Sequence, residues 1–192
     1  VRIRRATAAD LPRLARVLAD AFAGYPWTRW SIPEDEYDAR LEELQLLYLG
    51  HALEHGLVLT EDGLLAVAAF LPPDAPQPSD ALQERVGELH GDRLDRLLGV
   101  SLPPGPEGAW TLATVGVSPQ SQGRGLGSAV ARAGLAAVDQ RSVPVTLETS
   151  SDDNVRLYLR LGFSVDATTH IPEGPTVYSM SRPAVTERSD RE

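Results

Sequence analysis

Three observations predict a single-domain α/β fold with a mixed sheet. The chain has 192 residues, a length that suits one domain with one core. Segments with strand-like alternation are intermixed with segments whose apolar residues recur every three or four positions, the spacing of a helix face. At the centre, an apolar strand, a glycine-rich loop, an alanine-rich helix and a second apolar strand follow one another between 109 and 150. That is a strand–helix–strand unit.

The elements follow in order. "VRIRRA" alternates and is predicted to be the first strand. Thr7 and Asp10 form a capping box for a helix whose face is Leu11, Leu14, Leu18 and Phe22. "GYPWTRW" (24–30) is expected as an aromatic loop, and Tyr37, Leu41, Leu44 and Tyr48 mark a long helix ending before Gly56. "GLVLT" and "LLAVAAFLP" flank "EDG" as a hairpin. After the proline-rich "PPDAPQPSD", Ser79 is expected to cap a helix with Leu82, Val86, Leu89, Leu94 and Leu97 on one face. "LPPGPEG" breaks the chain before the strand "AWTLATVGV" (109–117). Beyond the glycine loop, Leu126, Val130, Ala133 and Ala137 give a helix stripe, and "VPVTLETS" (143–150) a buried strand. "NVRLYLRLG" is a short helix stopped at Gly162, followed by strands "FSVDAT" and "TVYSMSR" around the turn "PEGP". The domain is expected over 1–183, with 184–192 as a polar tail.

Composition excludes several functions. There are 18 Lys+Arg against 27 Asp+Glu, a net charge of −9, which argues against a nucleic-acid partner. No apolar run approaches the ~18 residues a membrane span requires, and "VRIRRATAAD" is not a signal peptide. The expectation is a cytoplasmic protein with no membrane partner. Cysteine is absent, which removes disulfides, thiolate zinc and a cysteine acyl-enzyme. Lysine is absent too, which removes Schiff-base chemistry and the lysine of a P-loop.

"SPQSQGRGLGSAV" (118–130) places glycines at 123, 125 and 127. A glycine loop between a strand and a helix start is an anion site: the first helical N–H groups lack partners and the helix dipole favours negative charge. Without lysine it is not a P-loop. A dinucleotide fingerprint is approximated by Gly123, Gly125 and Ser128, with Glu148 near the end of the next strand. In that motif, however, the first glycine closes the turn directly after the strand, and here "SPQSQ" intervenes. Gln122, Gly125 and Gly127 instead fit Q/R-x-x-G-x-G/A, and "LYLRLGF" follows about thirty residues on.

In these features the chain resembles the GNAT superfamily of acyl-CoA-dependent N-acetyltransferases. Within it, "FAGYPWTR", "LATVGVSP", "QGRGLGSAV", "LETS", "LGFSV" and "PEGP" are similar in order and spacing to the puromycin N-acetyltransferases. The resemblance runs from about Arg2 to Pro183 and is weakest over 74–107. It implies a mostly antiparallel twisted sheet flanked by helices, acetyl-CoA as cosubstrate, no metal, and a small-molecule amine as acceptor, with a puromycin-like aminonucleoside leading. By the same resemblance, the backbone of Val115, Gly116 and Val117 takes the pantetheine arm. The amides of Gly123, Arg124, Gly125, Leu126, Gly127 and Ser128 hold the pyrophosphate beside Gln122, and the Arg124 side chain either adds a contact or is merely solvated. The asparagine that many GNAT proteins place seven residues before the tyrosine corresponds to Ser151. Asn154, four before Tyr158, either contacts the cofactor or caps its helix.

Amide formation from a thioester needs a neutral amine and a proton for the leaving thiolate. Tyr158 is the candidate acid, because the tyrosine of "LYLRLGF" sits beside the thioester sulfur in this superfamily. A phenol titrating near 10 stays protonated at neutral pH. Glu148 either takes the amine's proton through a water or binds a cationic amine. Tyr25, Trp27 and Trp30 are expected to cover the acceptor or simply to pack on the core.

Rival readings remain open. "HALEH" (51–55) matches an inverted zinc-protease pattern, but no convincing third ligand is nearby. His90 and His170 are expected at the surface. A peptide or protein N-acetyltransferase and a non-catalytic acetyl-CoA-binding module are the alternatives to the small-molecule enzyme. The oligomeric state is left as monomer or homodimer.

Overall fold

The computed structural model describes residues 1–185. Strands β1 (Ile3–Arg5), β2 (Leu57–Glu61), β3 (Ala66–Leu71), β4 (Trp110–Val117), β5 (Val145–Thr149), β6 (Ser164–His170) and β7 (Thr176–Arg182) form one seven-stranded sheet. Its order is β1-β2-β3-β4-β5-β7-β6, and the β4–β5 pair alone is parallel. Helices α1 (Leu11–Phe22), α2 (Pro26–Ser31), α3 (Tyr37–His55), α4 (Asp80–His90), α5 (Leu94–Leu98), α6 (Leu126–Asp139) and α7 (Asp152–Arg160) flank it.

The middle of the sheet is covered on both faces, and β3 explains how. Its sequence AVAAFL has no polar residue, as a strand buried on both sides requires. Val67 and Ala69 point into the layer of α1 and α3, with Leu14, Leu18, Leu49 and Ala52. Ala66, Ala68 and Phe70 point the other way, into the layer holding Val130, Leu135, Val138, Leu147 and Met180. Each fully buried side chain of this kind contributes about 1.5–3 kcal/mol of burial free energy before entropy is counted. Small residues set the spacing. A Cβ on Gly134 would lie 2.0 Å from the Phe70 ring, so α6 approaches β3 only as glycine at that position.

Most predicted elements are present, with several local corrections. The predicted Thr7–Asp10 capping box forms, with Asp10 also bound through both oxygens by Arg4 at 2.8 and 3.0 Å. In the "EDG" turn, the Glu61 carboxylate accepts the amides of Gly63 and Leu65. The expected loop 24–30 is instead the one-and-a-half-turn helix α2, since Pro26 falls at its first position, where the missing N–H costs nothing. The expected single helix over 79–97 is broken. Ser79 does cap α4, but Gly91 takes φ +52° and a 3₁₀ turn separates α4 from α5. On α6 the buried stripe is Leu126, Val130, Gly134 and Val138, and Ala133 and Ala137 lie at its flank. Helix α7 starts two residues earlier than expected, at Asp152.

His90 is buried rather than at the surface, at 3% exposure. Its Nδ1–H donates to the Ser31 carbonyl at 2.7 Å, and burial lowers its pKa, holding the ring neutral. Arg93 donates to the carbonyls of Arg29 and Ile32. The 74–107 region thus satisfies the carbonyls at the end of α2. His170 is exposed, as expected. The expected tail lies outside the described residues from 186 onward. Among the described residues, no helix is long and apolar enough to cross a membrane.

Candidate active site

The site begins where two parallel strands separate. β4 and β5 are paired at Trp110↔Val145 and Thr111↔Thr146 and part beyond that point. On its other side β4 stays paired with β3, and the register skips Ala113: Thr114 faces Ala69 and Leu112 faces Phe70. This bulge bends β4 and increases its twist, away from β5. Between the diverging strands opens a cavity of about 630 Å³. The edge of Val115, Gly116 and Val117 that faces the gap has no strand partner among the described residues, since their partners Ala68, Val67 and Ala66 all lie on β3.

Beyond β4 the chain makes a 3₁₀ turn (Pro119–Ser121) and enters the glycine loop. Gln122 folds back, its Nε2 donating to the Val117 carbonyl at 3.2 Å. Gly123 and Gly125 have φ of +75° and +79°, and nothing lies within 4 Å of where a Cβ would be. Their requirement is conformational, the left-handed region that a side chain penalises. Gly127 differs: a Cβ there would come within 3.1 Å of Val117. It lets the first turn of α6 press against the end of β4. The amides of Gly123, Arg124, Gly125, Leu126, Gly127 and Ser128 donate to no acceptor among the described residues. Six free N–H groups around a helix start make a nest for an anion with several oxygens, such as a pyrophosphate. The Arg124 side chain is exposed and makes no hydrogen bond or ion pair among the described residues. The donor set and the vacant strand edge fit coenzyme A.

The cavity floor is β5 and α7. Leu147 and Thr149 are buried and Glu148 between them is exposed, and all three line the cavity. Glu148 is open to water there, yet the surrounding walls desolvate it and raise its pKa above the usual carboxylate range. Tyr158 projects from α7 to line the same cavity, 6% exposed, its ring edge-on to Phe163 at 5.8 Å. Burial pushes its hydroxyl well above the ordinary phenol value, with Tyr25 adding to the rise. Asn154 does not cap α7. That role belongs to Ser151, whose Oγ accepts the Asn154 amide at 3.4 Å. The Asn154 side chain donates to Thr149 Oγ1 at 3.3 Å and lines the cavity.

The expected aromatic cluster is divided. The Tyr25 hydroxyl bonds Thr149 Oγ1 at 2.9 Å and accepts the Ser150 amide at 2.8 Å, and the Trp27 amide donates to Ser150 Oγ at 3.1 Å. These bonds fasten the start of α2 to the end of β5, and both side chains line the cavity. Trp30 does not. Its ring lies 5.4 Å from Trp27 but on the outer side, against Gly174 in the β6–β7 turn.

Two walls are absent from the sequence expectations. Gln45, Tyr48 and His51 on α3 line the cavity, as do residues 102–105, where Gly105 sits against Thr146. Tyr48 was expected on the buried stripe with Tyr37, Leu41 and Leu44, but it is 46% exposed and burial passes to Leu49 and Ala52. The spacing of 45, 48 and 51 is helical, a signal legible only as polar residues beside an apolar stripe. The His51 and His55 rings are 4.7 Å apart, and among the described residues no group of three or more His, Asp or Glu is placed to hold a metal.

A splayed parallel strand pair next to a helix-start anion nest defines an acyl-CoA-type transferase site. The comparisons agree. The family model for the acetyltransferase (GNAT) family matches residues 19–163. The fold is similar to that of a histone acetyltransferase HPA2 and related acetyltransferase from Corynebacterium glutamicum, with TM-score 0.75, 26% identity and 97% of each chain covered. It is similar to the ribosomal-protein-S18-alanine N-acetyltransferase of Escherichia coli, with TM-score 0.55, 18% identity, and 100% of this chain and 98% of that one covered. Arylalkylamine N-acetyltransferase 2 of Aedes aegypti gives TM-score 0.62 at 11% identity, over 96% of this chain and 99% of that one. The chain belongs to the GNAT acetyltransferase family and is an enzyme of that family, whose members generally depend on acetyl-CoA.

Proposed function

We propose that the enzyme moves an acetyl group directly from acetyl-CoA to a primary amine of a small molecule in the cytoplasm, with a puromycin-like aminonucleoside as the leading acceptor. One observation carries this reading: Glu148, Tyr158, Tyr25 and Trp27 all line the cavity that opens where β4 and β5 part. The amides from Gly123 to Ser128 bind the pyrophosphate, Gln122 braces the loop, and the edge of Val115–Val117 pairs with the pantetheine arm. Acetyl-CoA supplies an activated thioester carbonyl.

Glu148 draws the cationic amine to the cavity floor and, directly or through a water, takes its proton, leaving a nucleophilic lone pair. As the nitrogen–carbon bond forms and the carbon–sulfur bond breaks, Tyr158 gives its proton to the sulfur. Its raised pKa keeps that proton in place until sulfur needs it. Asn154 orients Thr149 and, through it, Tyr25 at the junction. A monomer or a homodimer suffices, since one chain supplies all these residues.

The test is release of thiol from acetyl-CoA in the presence of puromycin, followed with a chromogenic thiol reagent. The chain has no cysteine, so any thiol is coenzyme A. Puromycin-dependent release supports the reading. A clear thermal shift with acetyl-CoA but no puromycin turnover moves the acceptor to another amine. Absence of both turnover and acetyl-CoA binding would overturn the acetyl-transfer reading altogether, whereas binding without turnover of any amine would leave a non-catalytic acetyl-CoA-binding module.

A further inference from the structure

The charge of the acceptor cavity says which amines it admits. Twenty-eight residues line it, and Glu148 is the one Asp, Glu, Lys or Arg among them. The chain has no lysine, and none of its arginines among the described residues is in the cavity lining: Arg156 pairs with Asp153, Arg160 is exposed, and those around α2 are bonded there. Arg29 lies over the Tyr37 ring at 3.8 Å and donates to the Ala23 carbonyl, while Arg93 and Arg96 donate to carbonyls of α2. Among the described residues, no guanidinium lines the cavity. The remaining wall is aromatic on the α1–α2 side (Phe22, Tyr25, Trp27) and polar on α3 (Gln45, Tyr48, His51).

We infer that the acceptor is an aromatic or apolar monoamine carrying no carboxylate next to its amine: an arylalkylamine, or an amino acid whose carboxyl is masked as an amide or ester. This rests on the acetyl-transfer reading above. An α-amino acid anchored by its ammonium at Glu148 would set its own carboxylate a few ångströms from that of Glu148. Like charges at that distance repel each other, and no lysine or arginine in the wall offsets them. A carboxamide or a hydrogen has no such penalty. The aromatic wall accepts the ring through offset or edge contacts. Glu148 is therefore both the anchor for the amine and the filter against free amino acids.

The experiment compares phenylalaninamide, phenethylamine and phenylalanine as acceptors for the wild-type enzyme, by thiol release. Values of kcat/KM are counted on the neutral amine, so that differences in amine basicity do not enter. Phenylalanine is also tested as a competitor of phenylalaninamide, and acetyl-CoA binding is read separately by thermal shift. The expected result is turnover of the amide or the amine, with phenylalanine poorer by about 100-fold or more and a weak competitor. Phenylalanine turned over as well as its amide, or competing at equal concentration, overturns the filter. An acetyl-CoA shift with no turnover of any of the three overturns the acceptor class while leaving acetyl transfer standing. No acetyl-CoA shift overturns the transfer reading, and the acceptor class with it.

Discussion

The two ends of the gap between β4 and β5 are built on different principles. The coenzyme end is backbone: one stretch from Val115 to Ser128 presents a strand edge and six free amides. The acceptor end is side chain, assembled from α1–α2, α3, residues 102–105, β5 and α7. On the proposed reading, the contrast teaches that a pyrophosphate, the same in every substrate pair, is met by geometry any glycine loop of the right φ supplies. A variable amine is met by residues brought from five places.

If that division holds, each end breaks separately. The largest effect belongs to the proton donor: Tyr158→Phe is expected to lower kcat about 100- to 10,000-fold with KM for acetyl-CoA unchanged, measured by steady-state thiol release. Next, Gly125→Val forces a β-branched residue to φ +79°. Nothing crowds the added Cβ, so the fold survives and the thermal shift with acetyl-CoA is lost. A variant that still binds acetyl-CoA like wild type would break the backbone account.

Glu148→Gln sharpens the acceptor end, raising KM for the amine roughly 10- to 100-fold without changing acetyl-CoA binding. Its pH profile carries the sign. Because burial raises the Glu148 pKa, the carboxylate takes up a proton as pH falls sooner than an exposed one would. Wild-type kcat/KM therefore loses amine recognition on the acid side, and the glutamine variant lacks that limb. Tyr25→Phe removes two hydrogen bonds to the end of β5, each worth about 1 kcal/mol. The expected result is a several-fold higher KM for the amine and an unchanged one for acetyl-CoA. Smallest in activity is Gly134→Ala, far from either ligand. Its Cβ would overlap the Phe70 ring, costing about 1–3 kcal/mol of stability by denaturant melt, with kcat little altered.

The same division decides what was legible in sequence. The proposed coenzyme end could be read because its parts are contiguous: a strand, three alternating glycines and a helix stripe lie within thirty residues. Glu148 and Tyr158 could be proposed together because each sits in a short motif of the resembled family, and both line the one cavity. The α3 wall was not, since Gln45, Tyr48 and His51 gain meaning only when the helix crosses the open end of the sheet. Trp30 was misplaced because aromatic composition does not encode direction, and α2 turned it outward. His90 looked like a surface residue because the helix it ends was expected to continue. Gly91 stops that helix, and the ring turns in to meet Ser31. Asn154 and Ser151 shared a capping pattern that only backbone angles divide, with Ser151 extended at φ −125°.

The most direct measurement of acetyl transfer at this site is the mass of the amine after incubation with acetyl-CoA, wild type and Tyr158→Phe side by side. Wild type should add one acetyl group to the amine for each coenzyme A released, and the variant should do so at least about 100-fold more slowly while binding acetyl-CoA equally well. Coenzyme A released without an acetylated amine, or a variant as fast as wild type, would contradict the account.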